Sequence, residues 1–294
     1  MSSPRRWKSR SRTNAAEPGR GIERRRDRGT HALRFSVSPS RLLSFTLSLC
    51  LALLLAACNA STQPVVKIGL VAPFEGRYRP IGYEAIYAAR LAIREINALG
   101  GINGRRIELV ALDDRGEPDK AQTAARQLVL DPQVVAVVGH LQPDSTDAAM
   151  KIYCEAGLPV IAIESSGNAC NGADLLGNAP RMRWPEDLLT FVSDVPDPNN
   201  LPAAQDFVKN FNAIPIDGTR AGPIALQTYD ALNLLFKALA GAETIDRDGV
   251  QAALRRIDFD GLGSRYAFDQ QGKLIEPRTY VFEYDRDRKP HLIP

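Results

Sequence analysis

Four short apolar runs dominate what this chain can fold into: residues 65–71 (VVKIGLV), 107–112 (IELVAL), 134–138 (VVAVV) and 159–163 (PVIAI). They are rich in β-branched residues and too short for helices, so they read as buried strands. Helical patterns separate them. Residues 82–98 carry Ile86, Ala89, Leu91, Ile93 and Ile96 on a helical period, and Gly100-Gly101 stops that pattern as left-handed residues do at helix ends. Pro118 opens a second helix, 118–130, at the first-turn position that proline tolerates. A third covers 144–156. Strand–helix alternation of this kind predicts the α/β class: a Rossmann-like parallel sheet with helices on both faces. Ligands on such sheets sit at the carboxyl ends of the strands. The loops that matter are therefore 73–81, 113–117, 139–143 and 164–171.

The formal net charge of +3 hides a split. Residues 1–41 hold 12 Lys and Arg against 3 Asp and Glu, which leaves 25 against 31 in the remainder. The folded body is thus acidic, and its charge gives no support to nucleic-acid binding. An uncharged run of 16 residues, 42–57, follows the basic leader. It is short for a membrane span and the right size for the apolar region of an export signal. It ends in Leu55-Ala56-Ala57-Cys58, which resembles a bacterial lipobox. Residues 1–57 then read as leader and lipoprotein signal, Cys58 as the lipidated residue and 58–65 as a polar tether. The competing reading is an uncleaved anchor helix with an incidental cysteine. Lipidation would place the protein outside the cytoplasm, on the outer face of the cytoplasmic membrane or in the periplasm. Cys154 and Cys170 remain in the body, where a disulfide is permitted. Spacing alone leaves both a bridge and two separate thiols open.

The run Ala92-Ile93-Arg94-Glu95-Ile96-Asn97-Ala98-Leu99-Gly100-Gly101-Ile102-Asn103-Gly104 resembles the signature of the leucine/isoleucine/valine-binding protein family. Asp113-Asp114, the 135–140 strand end and Gly157-Leu158-Pro159 continue the likeness in order. So do Thr228-Tyr229-Asp230-Ala231, the segment 258–263 and Phe268-Asp269. Members of that family are the extracytoplasmic solute-binding components of ABC importers of the branched-chain amino acid type. The resemblance implies a type I periplasmic-binding-protein fold, in which two Rossmann-like lobes trap a small amino acid. It also implies ABC permease subunits as partners.

Only 37 residues, 164–200, lie where the family places the body of its second lobe. They are rich in Gly, Pro, Asn and Asp and have no room for a βαβαβ unit. The expectation is one lobe with the second largely absent. Residues 66–185 form its first half, 186–260 supply helices returning to it, and 261–294 are a remnant of the second lobe with a C-terminal strand. That strand, around 279–284, either pairs with the edge of the first sheet or packs poorly.

The resemblance implies ligand contacts at two strand ends. In the first, Ser145 falls in the loop and helix start where the family uses a hydroxyl and exposed N–H groups on a carboxylate. Pro143 stands at the family's hydroxyl position, and Asp144 is expected to cap the helix with Asp147 in its first turn, which makes a self-capped helix the competing reading. In the second, Ser165 and Ser166 match a hydroxyl-bearing turn, and Glu164 faces an ammonium; an ordinary hydrogen-bonded turn competes. Ile81 is expected in the loop after the first strand, where leucine binders close an aromatic over the side chain.

Catalysis has little support. The chain has three His, and no HExxH, CxxC, Walker loop or nucleophile elbow occurs in it. His140 and the Asp113-Asp114 pair read as structural. The sequence implies neither cofactor nor metal. The expected function is a lipid-anchored solute-binding protein, not an enzyme, with ligand binding weakened by its missing lobe. The alternatives are an interaction or sensor lipoprotein using an open lobe, and a non-functional internally deleted product.

Overall fold

The structure is a computed structural model. It describes residues 63–163, the strand backbones 173–174 and 190–193, and residues 196–214, 218–270, 272–276, 278–284 and 290–293. The elements run β1 (Val65–Ala72), α1 (Arg79–Ala98), β2 (Arg106–Asp113), α2 (Pro118–Leu130), β3 (Val134–Gly139), α3 (Pro143–Glu155) and β4 (Val160–Ala162). Next come β5 (Ala173–Asp174), β6 (Thr190–Ser193), α4 (Gln205–Asn212), α5 (Pro223–Gly241), α6 (Arg247–Leu254), β7 (Asp258–Asp260) and β8 (Arg265–Ala267). The last two are β9 (Tyr280–Tyr284) and β10 (Pro290–Ile293).

Strands β1 to β5 form one parallel sheet in the order β2-β1-β3-β4-β5. The sheet is doubly wound. Val66, Ile68, Leu70 and Ala72 of β1 pack in a core shared with α1, α5 and α6, while Val71 belongs to a core with α2 and α3. The four expected strands and the first three helices are all present, with ends shifted by one to three residues. Prolines set helix starts: Pro118, Pro143 and Pro223 each occupy a first position, where a missing N–H costs nothing. The glycine stop is also present. Gly100 and Gly101 have φ of 98° and 77°, beyond the reach of most side chains. Asn97 then ties the end of α1 to β2, donating to the Ile107 carbonyl at 2.8 Å and accepting from its N–H at 2.9 Å.

α4 packs through Phe207 and Phe211 against α1 and α5, and Phe207 lies 4.8 Å from the Tyr229 ring. α5 runs in the same sense as α1. Glu84 near the start of α1 accepts from Ala225 near the start of α5, and Asn103 beyond the end of α1 reaches the Ala240 carbonyl. Both helices therefore begin at the carboxyl edge of the sheet.

The C-terminal strand differs from both expectations. β9 pairs antiparallel with β6 and β10 in a separate three-stranded sheet rather than with the edge of the first. It is tied to the body as well: the Tyr280 hydroxyl donates to the Gly263 carbonyl at 3.0 Å. The short strand β6 was not legible because nothing local marks its partner, which lies 90 residues downstream. Among the described residues, no helix is long and apolar enough to cross a membrane.

Candidate functional site

The strand order reverses between β1 and β3, and their carboxyl ends diverge there into separate loops. Such a switch point is where open α/β sheets hold ligands. Three glycines bring these loops together. A Cβ on Gly139 would lie 2.2 Å from the Val71 carbonyl oxygen, so β3 closes tightly on β1. A Cβ on Gly82 would lie 2.0 Å from the Pro73 oxygen, which seats the first turns of α1 against the loop after β1. A Cβ on Gly116 would meet Tyr78 at 2.6 Å and Gln142 at 3.2 Å. The loops after β1, β2 and β3 thus converge on one surface.

The acid pair braces that surface. Asp113 accepts from the N–H groups of Phe74 (2.8 Å), Glu75 (3.3 Å) and Arg115 (3.0 Å). Asp114 is fully buried, accepts from Gly116 N–H at 2.9 Å and meets His140 Nδ1 at 2.6 Å. His140 Nε2 lies 3.2 Å from the Tyr153 hydroxyl. Burial, with a smaller contribution from the Asp114 charge, pushes the Tyr153 phenol well above its ordinary range. The chain Asp114–His140–Tyr153 locks two strand ends to α3. Both ring nitrogens are occupied, so His140 is structural, as its place at a strand end suggested.

Ser145 stands apart. It sits in the first turn of α3, fully buried, and its Oγ has no hydrogen-bond partner among the described residues. A buried hydroxyl without a partner is costly, and natural structures seldom leave one unless a ligand or water completes it. It lies beside the α3 N-terminus, whose exposed N–H groups favour negative charge. The capping expected there differs. Gln142, not Asp144, is the N-cap residue, and it makes no side-chain cap bond. Pro143 starts the helix one residue early because its fixed φ suits the first position. Asp144 consequently lies inside the first turn, exposed, and Asp147 falls beyond it. The competing reading of a helix capped by its own Asp144 is not what forms.

Ile81 is also displaced from its expected loop. α1 begins at Arg79, so Ile81 lies in its first turn, partly buried against the core. Glu164, Ser165, Ser166, Cys58 and Cys170 lie outside the described residues. Cys154 is disulfide-bonded, and its partner lies outside them too. Gln227 was missed. It is 6% exposed in α5, and neither its amide oxygen nor its nitrogen has a partner. The one signal available was a glutamine on the apolar face of a helix.

Residues 65–176 and 185–289 match the sequence profile of the periplasmic binding protein family. An amino acid binding protein of Pseudomonas aeruginosa is 42% identical over 96 residues, covering 33% of this chain and 26% of that protein. The Leu/Ile/Val-binding protein of Escherichia coli is 33% identical over 107 residues, 36% of this chain and 29% of its own length. The matched segment spans less than a third of the length of either relative. The isoleucine complex of the branched-chain amino acid transporter substrate binding protein LivJ from Streptococcus pneumoniae shares the fold. Its TM-score is 0.61 at 17% identity, covering 78% of this chain and 99% of that one. The doubly wound sheet, the braced strand ends and a profile match over most of the chain agree: this protein belongs to the periplasmic binding protein family.

Proposed function

We propose that this chain is the extracytoplasmic solute-binding component of an ABC importer of the branched-chain amino acid type, lipid-anchored through Cys58. The observation that carries the reading is the buried, unpartnered Ser145 hydroxyl at the N-terminus of α3, on the surface where three strand-end loops converge. A small amino acid would offer its carboxylate there. Ser165 and Ser166 would hold its backbone from the next strand end, Glu164 its ammonium, and Ile81 would border its side chain. A bridge between Cys154 and Cys170 would fasten that second loop to α3. No bond is made or broken, and no cofactor or metal takes part. The names of the relatives, an amino acid binding protein and a Leu/Ile/Val-binding protein, support the ligand class.

The spacing between residues 163 and 201 supports a single lobe with the second largely absent. One lobe leaves a face of the ligand in water, so binding is weak. The test is thermal unfolding of the full chain, purified in mild detergent, across a panel of amino acids. Any ligand that prefers the folded state raises its apparent stability. The expected outcome is a small rise with leucine, isoleucine or valine at millimolar concentration and none with lysine or aspartate. Micromolar affinity for any of the three would overturn the single-lobe reading, and no response to any amino acid would overturn the ligand class.

A second reading is an interaction lipoprotein. It draws on Val281 of β9 and Ile293 of β10, which are 38% and 40% exposed. Light scattering that finds a strict monomer at all concentrations would count against self-association.

A further inference from the structure

A groove of about 880 Å³ lies between the first turns of α1 and α5, bordered by the segments 197–199 and 218–222. Its lining includes Arg79 and Pro80, next to Ile81, but neither Ser145 nor any residue of the loops 113–117 and 139–146, so it adjoins the strand-end surface only through the start of α1. Its size is within the range of small-molecule pockets.

One wall is an ordered ladder of cations and rings along α1. The Arg79 guanidinium sits 4.6 Å from the Tyr83 ring centroid and donates to the Tyr83 hydroxyl at 3.0 Å. The Tyr83 and Tyr87 rings lie 5.9 Å apart, and the Arg90 guanidinium lies 5.8 Å from the Tyr87 ring centroid. Stacking of this kind holds both rings and guanidinium in place before anything binds. Arg220 also lines the groove; it is exposed and makes no hydrogen bond or ion pair among the described residues.

The groove's acids are already used. The Glu84 carboxylate accepts from the Ala225 N–H, at the start of α5, at 3.2 Å. It sits so close to Gly222 that a Cβ there would come within 2.4 Å. Asp197 accepts from the backbone and side chain of Asn199 at 2.9 Å and 2.6 Å. The donors and rings left for a ligand are those of Arg79, Arg220, Tyr83 and Tyr87, while Glu84 and Asp197 keep their charge and mark the side of the groove that an anion avoids.

We propose that this groove binds a small organic anion, a carboxylate on a flat apolar body. The guanidiniums of Arg79 and Arg220 take the carboxylate, because their fork geometry matches its two oxygens. The Tyr83 and Tyr87 rings take the flat body. A compact inorganic anion would use only the first half of this arrangement, and a neutral ring only the second.

The test uses the full chain in mild detergent, titrated by calorimetry with benzoate, with benzyl alcohol and inorganic phosphate as controls. Benzoate is expected to saturate in the micromolar to millimolar range (roughly −4 to −8 kcal/mol). The controls are expected to bind at least about tenfold more weakly. Arg220→Gln and Tyr87→Ala are each expected to lower benzoate affinity about tenfold, the first with unchanged thermal stability because Arg220 is exposed and unpaired among the described residues. Ser145→Ala is expected to leave benzoate binding as it was. Absence of saturation, phosphate binding as tight as benzoate, or unchanged affinity in both groove variants would overturn the proposal. So would loss of benzoate binding in Ser145→Ala, which would move the ligand to the strand-end cleft. The amino-acid panel reads that cleft independently.

Discussion

Where the strands of the main sheet begin, Arg247 at the start of α6 reaches four backbone carbonyls: Val129 and Asp131 at 3.0 Å, Val134 at 3.1 Å and Ala156 at 3.3 Å. These carbonyls lie at the ends of α2 and α3 and at the start of β3, and that of Asp131 also accepts from the Val134 N–H at 3.1 Å. A cation there also complements the negative ends of both helix dipoles. Lys67 and Asp131 pair at 2.8 Å beside it. Where the strands end, Ser145 and Gln227 keep buried polar atoms without partners among the described residues. One end of the same sheet is saturated and the other is not. Since an unpaired buried polar group costs free energy that folding alone has no reason to spend, the unsaturated end is where a ligand has work to do.

The saturated end can be broken first. Arg247→Ala removes a charged donor from four carbonyls at once and is expected to lower unfolding stability by about 3 kcal/mol or more. Arg247→Lys keeps the charge but has no planar fork, and should recover less than half of that loss. Urea unfolding monitored by circular dichroism checks both. A loss below about 1 kcal/mol would mean that water replaces the arginine well, and that the two ends differ less than their hydrogen bonds suggest.

Asp230 tests what saturation means for a charge. It is 1% exposed, and its carboxylate accepts from Leu262 N–H (3.0 Å), Gly263 N–H (2.7 Å) and the Tyr266 hydroxyl (3.0 Å). Burial nevertheless raises its pKa from 3.8 to about 6, with the three donors opposing. A carboxyl whose pKa is higher when folded contributes stability that is complete below pH 3.8 and lost as pH rises through about 6. The stability difference between the parent and Asp230→Asn should therefore fall by about 3 kcal/mol between pH 3.5 and 7. A flat difference would show that the donors hold the carboxylate charged in spite of its burial.

Much of this architecture was legible because its cues are local. Gly100-Gly101 and Pro118 act within a turn of themselves, and four runs of β-branched residues have few alternatives to a buried parallel sheet. The family signature around Asn97 turns out to be a physical device, an amide that pins α1 to β2. What escaped was non-local. β9 finds β6 across 90 residues, and Arg247 finds carbonyls 91 to 118 residues away in sequence. Helix starts were misjudged where two cues competed. Pro143 won over Asp144, which moved the cap to Gln142, and an earlier start of α1 took Ile81 out of its loop. Of the expected site residues, Ser145 lies in the first turn of α3, just after the end of β3. The groove ladder stands at helical spacing in Arg79, Tyr83 and Tyr87, but its partner segments 197–199 and 218–222 are distant in sequence, so nothing local marked it.

At the unsaturated end the expected signs reverse. Gln227→Met keeps roughly the same volume and removes two buried polar atoms without partners, so it should raise stability by about 1–2 kcal/mol. A loss of similar size would show that the amide has partners, such as ordered water, and that this end is closed as well.

Ser145→Ala is the smallest effect and the most discriminating. It deletes one hydroxyl from a fully buried site and leaves a space too small to matter much, so stability should rise by up to about 1 kcal/mol. Such a gain alone would mark only an imperfection in packing. The functional reading demands a second result from the same variant: the thermal rise with leucine, isoleucine or valine should shrink or vanish, since the ligand carboxylate loses a donor that nothing else at the α3 start replaces. The signs of the two measurements separate the possibilities. A more stable protein that responds less to ligand is what a site kept open at a cost to folding must give. A more stable protein with an undiminished response would leave Ser145 outside the site, and a less stable one would mean that its hydroxyl already bonds within the fold.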